Sequence, residues 1–382
     1  MTYQLVISIG LIIFALNLAL NLRVLKKPED DVTMPEPAPF VSVLIPARDE
    51  EANIESCVKS LQRQDYHNFE ILVLDDNSSD GTANIVKRLM SDDNRTCLIP
   101  GEPLCEGWAG KPFACYQLAK KAKGDWLLFV DADTIHAPHM LRSVMSLAIK
   151  SGCSLLSGFP RQLTSSLSEK VSIPLMYFII LSWLPLWWLQ RSRKPKPSLA
   201  VGQFLLFPSE EYWRLGGHEA VKSRILEDVW LGAEVNRHGG RHVTINLSLV
   251  VSCHMYQSAK SMWEGFVKWM YSVAVLSSAA LIGLLIAGLL FFLLPFFSLW
   301  KELFWVASPS MWRSLVISQV SVILAMRWLT DKHFRGPFIS ALLHPLGFSF
   351  LIVAVFYAFT RRIMGSHVRW KERLYGGASG VE

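Results

Sequence analysis

Apolar runs of two lengths divide this chain. Short runs, each closed by polar residues, fill residues 40–130. Phe40–Ile45, Glu70–Leu74, Thr96–Ile99 and Trp126–Val130 read as strands, being short, rich in branched or aromatic residues and bounded by turn formers. Residues 52–64, 82–91 and 112–122 between them read as helices. This alternation predicts an α/β domain, a mainly parallel Rossmann-like sheet with helices on both faces. Long runs lie at 4–22, 171–190, 272–294, 312–329 and 340–360. A bilayer crossing takes about 20 residues. Residues 4–22 are expected to be an N-terminal transmembrane anchor and the last three runs to be C-terminal spans. Pro174 and Pro185 interrupt 171–190, and a crossing there would split one domain across the membrane. That segment is expected to lie in the interface, where Trp183, Trp187 and Trp188 are at home.

The chain therefore divides into an anchor (1–27), a Pro- and acid-rich linker (28–39), an α/β domain (40–270), a membrane region (271–362) and a basic tail (363–382). Net charge is +6 without a long basic block, which excludes nucleic acid as the natural partner and favours a membrane surface. Arg23, Lys26 and Lys27 follow the first run and place the domain on the cytoplasmic side of a multi-pass cell-membrane protein. Arg191, Arg193, Lys194 and Lys196 suit anionic headgroups. Four crossings would leave Arg361, Arg362, Arg369, Lys371 and Arg373 outside, against the positive-inside rule. The rule is met only if one late segment is re-entrant or the last does not cross. Cys57, Cys97, Cys105, Cys115, Cys153 and Cys253 are scattered, without a CxxC pair, and read as reduced thiols.

The candidate chemistry sits just past the strand ends, where such sheets bind ligands. Trp126–Val130 stops at Asp131-Ala-Asp133. Two carboxylates two residues apart at a strand end share one side of the chain and suit a hard divalent cation, with further oxygens from substrate phosphates. A simple turn is the other reading. Asp75-Asp76 ends an earlier strand and offers acceptors to a base N–H or a ribose hydroxyl, and Asp80-Gly81-Thr82 reads as a turn and helix start. Gly107-Trp-Ala-Gly-Lys111 precedes a helix; its glycines let backbone close on a ligand and its lysine offers a charge to a diphosphate. Glu50 can be a first-turn acid or part of a site, and Glu227-Asp228 can be a helix-start pair or hold a general base.

Four motifs occur in order: PARDEEANI from Pro46, LDDNSSDGT from Leu74, VDAD from Val130 and ILEDVWLG from Ile225. Together they resemble the inverting family 2 glycosyltransferases, in particular the membrane-embedded branch with ceramide glucosyltransferases and bacterial hopanoid- or carotenoid-associated enzymes. The resemblance covers about residues 40–260 by motif. It implies a GT-A fold, a nucleotide-sugar donor (a UDP-sugar above all), a lipid acceptor, and Mg²⁺ or Mn²⁺. It implies that Ala47, Arg48 and Glu50 line the nucleotide pocket and that Asp76, and less so Asp75, meets the base. Lys111 and Asp131 would lie at the donor, and Asp131 and Asp133 would hold the metal. Asp228 would be the base and Glu227 its neighbour. Ala200–Phe204 resembles the loop and strand before the acceptor site. Many relatives carry a Q-x-x-R-W element after the base. Here Gln257, Lys260 and Trp263 stand in its region, as acceptor-side residues or as one face of an amphipathic helix. That departure argues against a processive synthase. His254 is a candidate third metal ligand or a structural histidine. A short polysaccharide synthase and a catalytically inactive membrane scaffold are the rival functions.

Overall fold

The computed structural model describes residues 2–30, 32, 34–190, 199–224, 226–256, 258–305, 309–364, 368–370 and 373–375. Arg191, Arg193, Lys194, Lys196, Gln257 and Lys371 lie outside them. Helix α1 (Thr2–Val24) leads the chain. The expected strands follow as β1 (Val41–Ala47), β2 (Phe69–Asp75), β3 (Thr96–Pro100) and β4 (Trp126–Val130). They are joined by α2 (Ile54–Gln62), α3 (Thr82–Met90) and α4 (Gly110–Lys121). Helix α2 forms because Ile54, Cys57, Val58 and Leu61 recur three or four apart and bury one stripe. Strand β1 is apolar on both sides because both are covered: Val41, Val43 and Ile45 join one core and Leu44 the other.

The chain continues through β5 (Thr134–His136), α5 (Met140–Ser151), β6 (Leu155–Phe159), β7 (Arg161–Gln162), α6 (Leu167–Trp183) and α7 (Leu186–Leu189). Then come β8 (Phe204–Pro208), α8 (Ser209–Arg214), α9 (Glu227–Arg237), β9 (His242–Asn246) and β10 (Val251–Cys253). The main sheet has the order β3-β2-β1-β4-β8-β6-β9. It is parallel apart from β8, which runs antiparallel to β4 and β6. A small sheet, β5-β10-β7, ties the turn after β4 to the rest.

The remainder is helical: α10 (Ala259–Leu276), α11 (Ser278–Ala287), a π-helical stretch (Gly288–Leu293), α12 (Leu294–Phe304), α13 (Ser310–His333), α14 (Ile339–Leu342) and α15 (His344–Ile363). With α1 and α6 these helices share a core of their own, centred on Phe178, Phe266, Phe292, Ile323 and Phe348. Among the described residues three helices are long and apolar enough to cross a membrane: Tyr3–Val24, Leu281–Phe304 and His344–Ile363.

Two expectations change here, and a third run proves less apolar than its length suggests. The run 171–190 is largely α6, and it is inserted into the protein: Ile173, Leu175, Phe178 and Leu181 are buried. Its apolar side chains meet other helices instead of an interface, and Asn17 and Asn21 of α1 bind its C-terminal carbonyls. Composition alone cannot tell lipid from a protein core. The run 272–294 breaks at Ser277, where α10 ends, and the long apolar element shifts to Leu281–Phe304. The run 312–329 lies in α13, which is not among the three apolar helices because Gln319, Arg327 and Asp331 interrupt it.

Candidate active site

Strands β2, β1 and β4 lie side by side and parallel, so the turns after Asp75, Ala47 and Val130 share one edge of the sheet. That edge opens into a cleft of about 600 Å³. Ala47, Arg48 and Glu50 line it from the first turn, Asp76 from the second, and Asp131 and Asp133 from the third. Lys111 enters from the first turn of α4, and Glu227 and Asp228 from that of α9. The first two turns are clamped together. Asp49 Oδ1 accepts from Ser79 N at 2.8 Å, Glu51 N donates to Asp80 Oδ2 at 3.0 Å, and Glu50 N donates to Thr82 Oγ1 at 2.8 Å. Asp80 and Thr82 are thus structural. Arg48 Nη1 donates to Asp76 O at 3.0 Å, which sets its guanidinium beside the second turn.

Lys111 Nζ bridges Asp131 Oδ1 at 2.6 Å and Glu227 Oε1 at 3.2 Å. Burial would lower its pKa, but these carboxylates outweigh it and hold the lysine well above the usual range. Asp228 Oδ2 accepts from Gly202 N at 2.7 Å, and its Oδ1 accepts from Val229 N at 2.9 Å. A Cβ on Gly202 would stand 3.1 Å from Asp228 Oδ2, so glycine lets the backbone approach this carboxylate. Burial first and the charge of Glu227 second push Asp228 up to about 6, against Lys111 and the two N–H groups. A carboxylate so poised can take a proton near neutral pH. Lys268 of α10 also faces the cleft, and burial pulls it down to about 8 against Glu227, Asp131 and Asp228.

The residues fit a divalent cation of one kind. Among the described residues no group of three or more His, Cys, Asp or Glu comes together to hold a metal alone. Asp131 and Asp133 nonetheless line one cleft with room for phosphate oxygens, the donor set that Mg²⁺ shares with a substrate.

Residues 42–203 match the family described as Glycosyl transferase family 2. The chain carries a family 2 glycosyltransferase domain. It is 29% identical over 268 residues to a protein of Staphylococcus haemolyticus named 4,4'-diaponeurosporenoate glycosyltransferase, covering 68% of each chain. A second relative is the UDP-Glc:alpha-D-GlcNAc-diphosphoundecaprenol beta-1,3-glucosyltransferase of Escherichia coli, 34% identical over 119 residues. That match takes in 31% of this chain and 45% of the relative. The fold resembles a mannosyltransferase from Pyrobaculum calidifontis solved with GDP-Man and Mn²⁺, with a TM-score of 0.52 and 18% identity. The likeness covers 94% of this chain and 98% of that one, and it shows the fold alone.

Not every residue expected in the glycosyltransferase site lies there. Ala47, Arg48, Glu50, Asp76, Lys111, Asp131, Asp133, Glu227 and Asp228 line one cleft, but Asp75 does not. Asp75 Oδ1 accepts from Ser78 N at 3.2 Å, so its carboxylate closes its own turn. His254 meets Asp133 through backbone, donating from N to Asp133 O at 3.1 Å. Lys260 is exposed and not in the cleft wall, and Trp263 packs on Phe350 and Tyr357 of α15, at 5.5 and 5.7 Å. The face of α10 that does line the cleft is Ser261, Glu264, Gly265, Lys268 and Trp269. The spacing 261, 264/265, 268 marks one side of a helix, a signal present in the sequence. Reading from Trp263 selected the neighbouring side. Gln203, within the Ala200–Phe204 stretch and just before β8, lines the cleft, whereas Arg224 was missed because nothing local marks it.

Proposed function

We propose that this protein transfers a sugar, with inversion, from a nucleotide-sugar donor to a lipid acceptor at the membrane. The observation that carries the reading is the gathering of Asp76, Lys111, Asp131, Asp133 and Asp228 in one cleft whose far wall, α10, belongs to the helical layer. The names of the two relatives support a UDP-sugar donor and a carotenoid or lipid-linked acceptor. Arg48, Glu50 and Asp76 receive the nucleotide. Asp133, with Asp131, would hold Mg²⁺ or Mn²⁺, which when bound would offset charge on the donor diphosphate. Lys111 keeps Asp131 and Glu227 in place and adds a positive charge beside the diphosphate. Asp228 takes the proton of the acceptor hydroxyl as its oxygen bonds to the anomeric carbon. The bond to the diphosphate oxygen breaks, and its electron pair leaves with the nucleotide. Lys268 lies on the acceptor side and favours the ionised form of Asp228.

Asp228→Asn tests the assignment. It keeps the shape but cannot take a proton, so transfer should fall by roughly 10²–10⁴-fold, the usual scale of acid–base catalysis. Nucleotide affinity by calorimetry should stay unchanged. Wild-type transfer by this variant would remove Asp228 as the base, and Glu227 would be tested next.

A further inference from the structure

We infer that α13, and not α15, is the third helix to cross the bilayer. On this reading residues 334–344 dip in from the domain side and α15 returns to it. The inference rests on the membrane-bound reading above. Contacts with α1 and with the domain act as depth markers. Gln319 Nε2 donates to Gln4 O at 3.0 Å and to Ser8 Oγ at 2.9 Å, so this part of α13 is level with the start of α1. At the other end Asn246 Nδ2 donates to His333 O at 2.9 Å, while Asn246 N donates to Lys26 O at 2.8 Å. His333 is therefore level with the chain just past α1, at the domain. The two helices run antiparallel along their lengths, so they reach the same depths.

Hydropathy misses α13 for a physical reason. Its polar side chains Gln319, Arg327, Thr330 and Asp331 are buried within the protein, whereas Met311, Ile317, Trp328 and Leu329 are exposed. Lipid meets the second group together with Ser314, Ser318 and Ser321, and the hydroxyls of Ser314 and Ser318 donate to carbonyls of their own helix.

The same markers bring α15 back. Arg327, about 9 Å before the end of α13 at 1.5 Å per residue, hydrogen-bonds Ser340. Phe348 at the start of α15 stacks on Phe292 at 5.4 Å, and Phe292 lies 5.3 Å from Phe14, midway along α1. Farther along α15, Tyr357 meets Trp263 at 5.7 Å, one residue from the cleft-lining Glu264. Helix α15 thus starts about halfway in and ends at the level of the cleft. Arg361 and Arg362 then share a side with Arg23, Lys26 and Lys27, as the positive-inside rule asks.

Labelling of one introduced, exposed cysteine at a time in the full chain tests this in right-side-out and inverted vesicles with a membrane-impermeant maleimide. Among the six cysteines only Cys97 and Cys105 are exposed. The native protein therefore reports the domain side, and each variant carries Cys97→Ser and Cys105→Ser. Lys332→Cys and Met364→Cys should label from the domain side, and Met311→Cys from the opposite side. Arg335→Cys, also exposed, repeats the first position if Lys332→Cys fails to fold. Lys332→Cys and Arg335→Cys labelling together with Met311→Cys would mean that α13 does not cross. Met364→Cys labelling with Met311→Cys would mean that α15 crosses too. Either result overturns the inference and leaves the membrane-bound reading standing. Labelling of every position in both preparations would sink both.

Discussion

At the scale of single residues, the cleft separates two uses of acid. Asp75, Asp80 and Asp49 hold turns, whereas Asp76, Asp131, Asp133, Glu227 and Asp228 face the open space. Asp228 accepts a proton only when ionised, and burial with Glu227 sets it at about 6. Transfer should therefore be full above that value and fall as pH drops through it, which the pH profile of kcat/KM reads directly. Lys268→Met removes a positive charge that favours the ionised form, so the acid limb should move to higher pH. Lys268→Arg should restore it. A loss of rate equal at every pH would mean that Lys268 only supports the wall. Neither Lys268 nor Glu264 was legible as a site residue, since a lysine and a glutamate on a helix read as ordinary solvated positions.

At the scale of elements, α9 and β8 meet through one contact. Gly202, just before β8, donates its N–H to a carboxylate on the first turn of α9, which aims the acid into the cleft. The pair lies far apart in sequence, so no local pattern links them. Helices α1 and α6 are joined by buried amides. Asn21 donates to Leu181 O and Leu184 O, both at 2.7 Å, and accepts from Trp187 N at 2.9 Å. Asn21→Leu leaves buried polar groups unsatisfied, at a cost of about 1–3 kcal/mol each. The variant in detergent should unfold at a lower Tm than the parent, and an unchanged Tm would mean that Asn17, which shares two of these acceptors, suffices. An asparagine inside an apolar run reads as a blemish in a span; in the fold it is the joint between two helices.

At the scale of the whole molecule, the α/β domain is seated on a helical layer that supplies one wall of its cleft through α10. Metal use should follow from the donor set. With no group of three ligands among the described residues, Mn²⁺ should bind weakly to the protein alone and far more tightly once a nucleoside diphosphate is present. Calorimetric titration with and without nucleotide measures the difference. Excess chelator should abolish transfer, as should Asp133→Ala. Full activity in chelator would remove the metal from the mechanism.

Local pattern by itself determined the first half of the sheet. Strands β1 to β4 are short, apolar and closed by turn residues, and β1, β2 and β4 are covered on both faces, so each carries its own signal. The four motifs pointed to the family and to eight residues of the cleft, and the Gly107–Lys111 stretch to a ninth, because turns at strand ends and helix starts deliver their side chains to a site wherever the sheet puts it. The order of strands, with β8 inserted between β4 and β6, was decided by pairings between distant segments. Tertiary structure also decided which apolar runs face protein. Helix α6 and the polar side of α13 look alike to lipid or core in composition, and only their neighbours distinguish them. The face of α10 turned toward Asp228 was settled the same way, by α15 covering Trp263 and leaving Lys268 to the cleft.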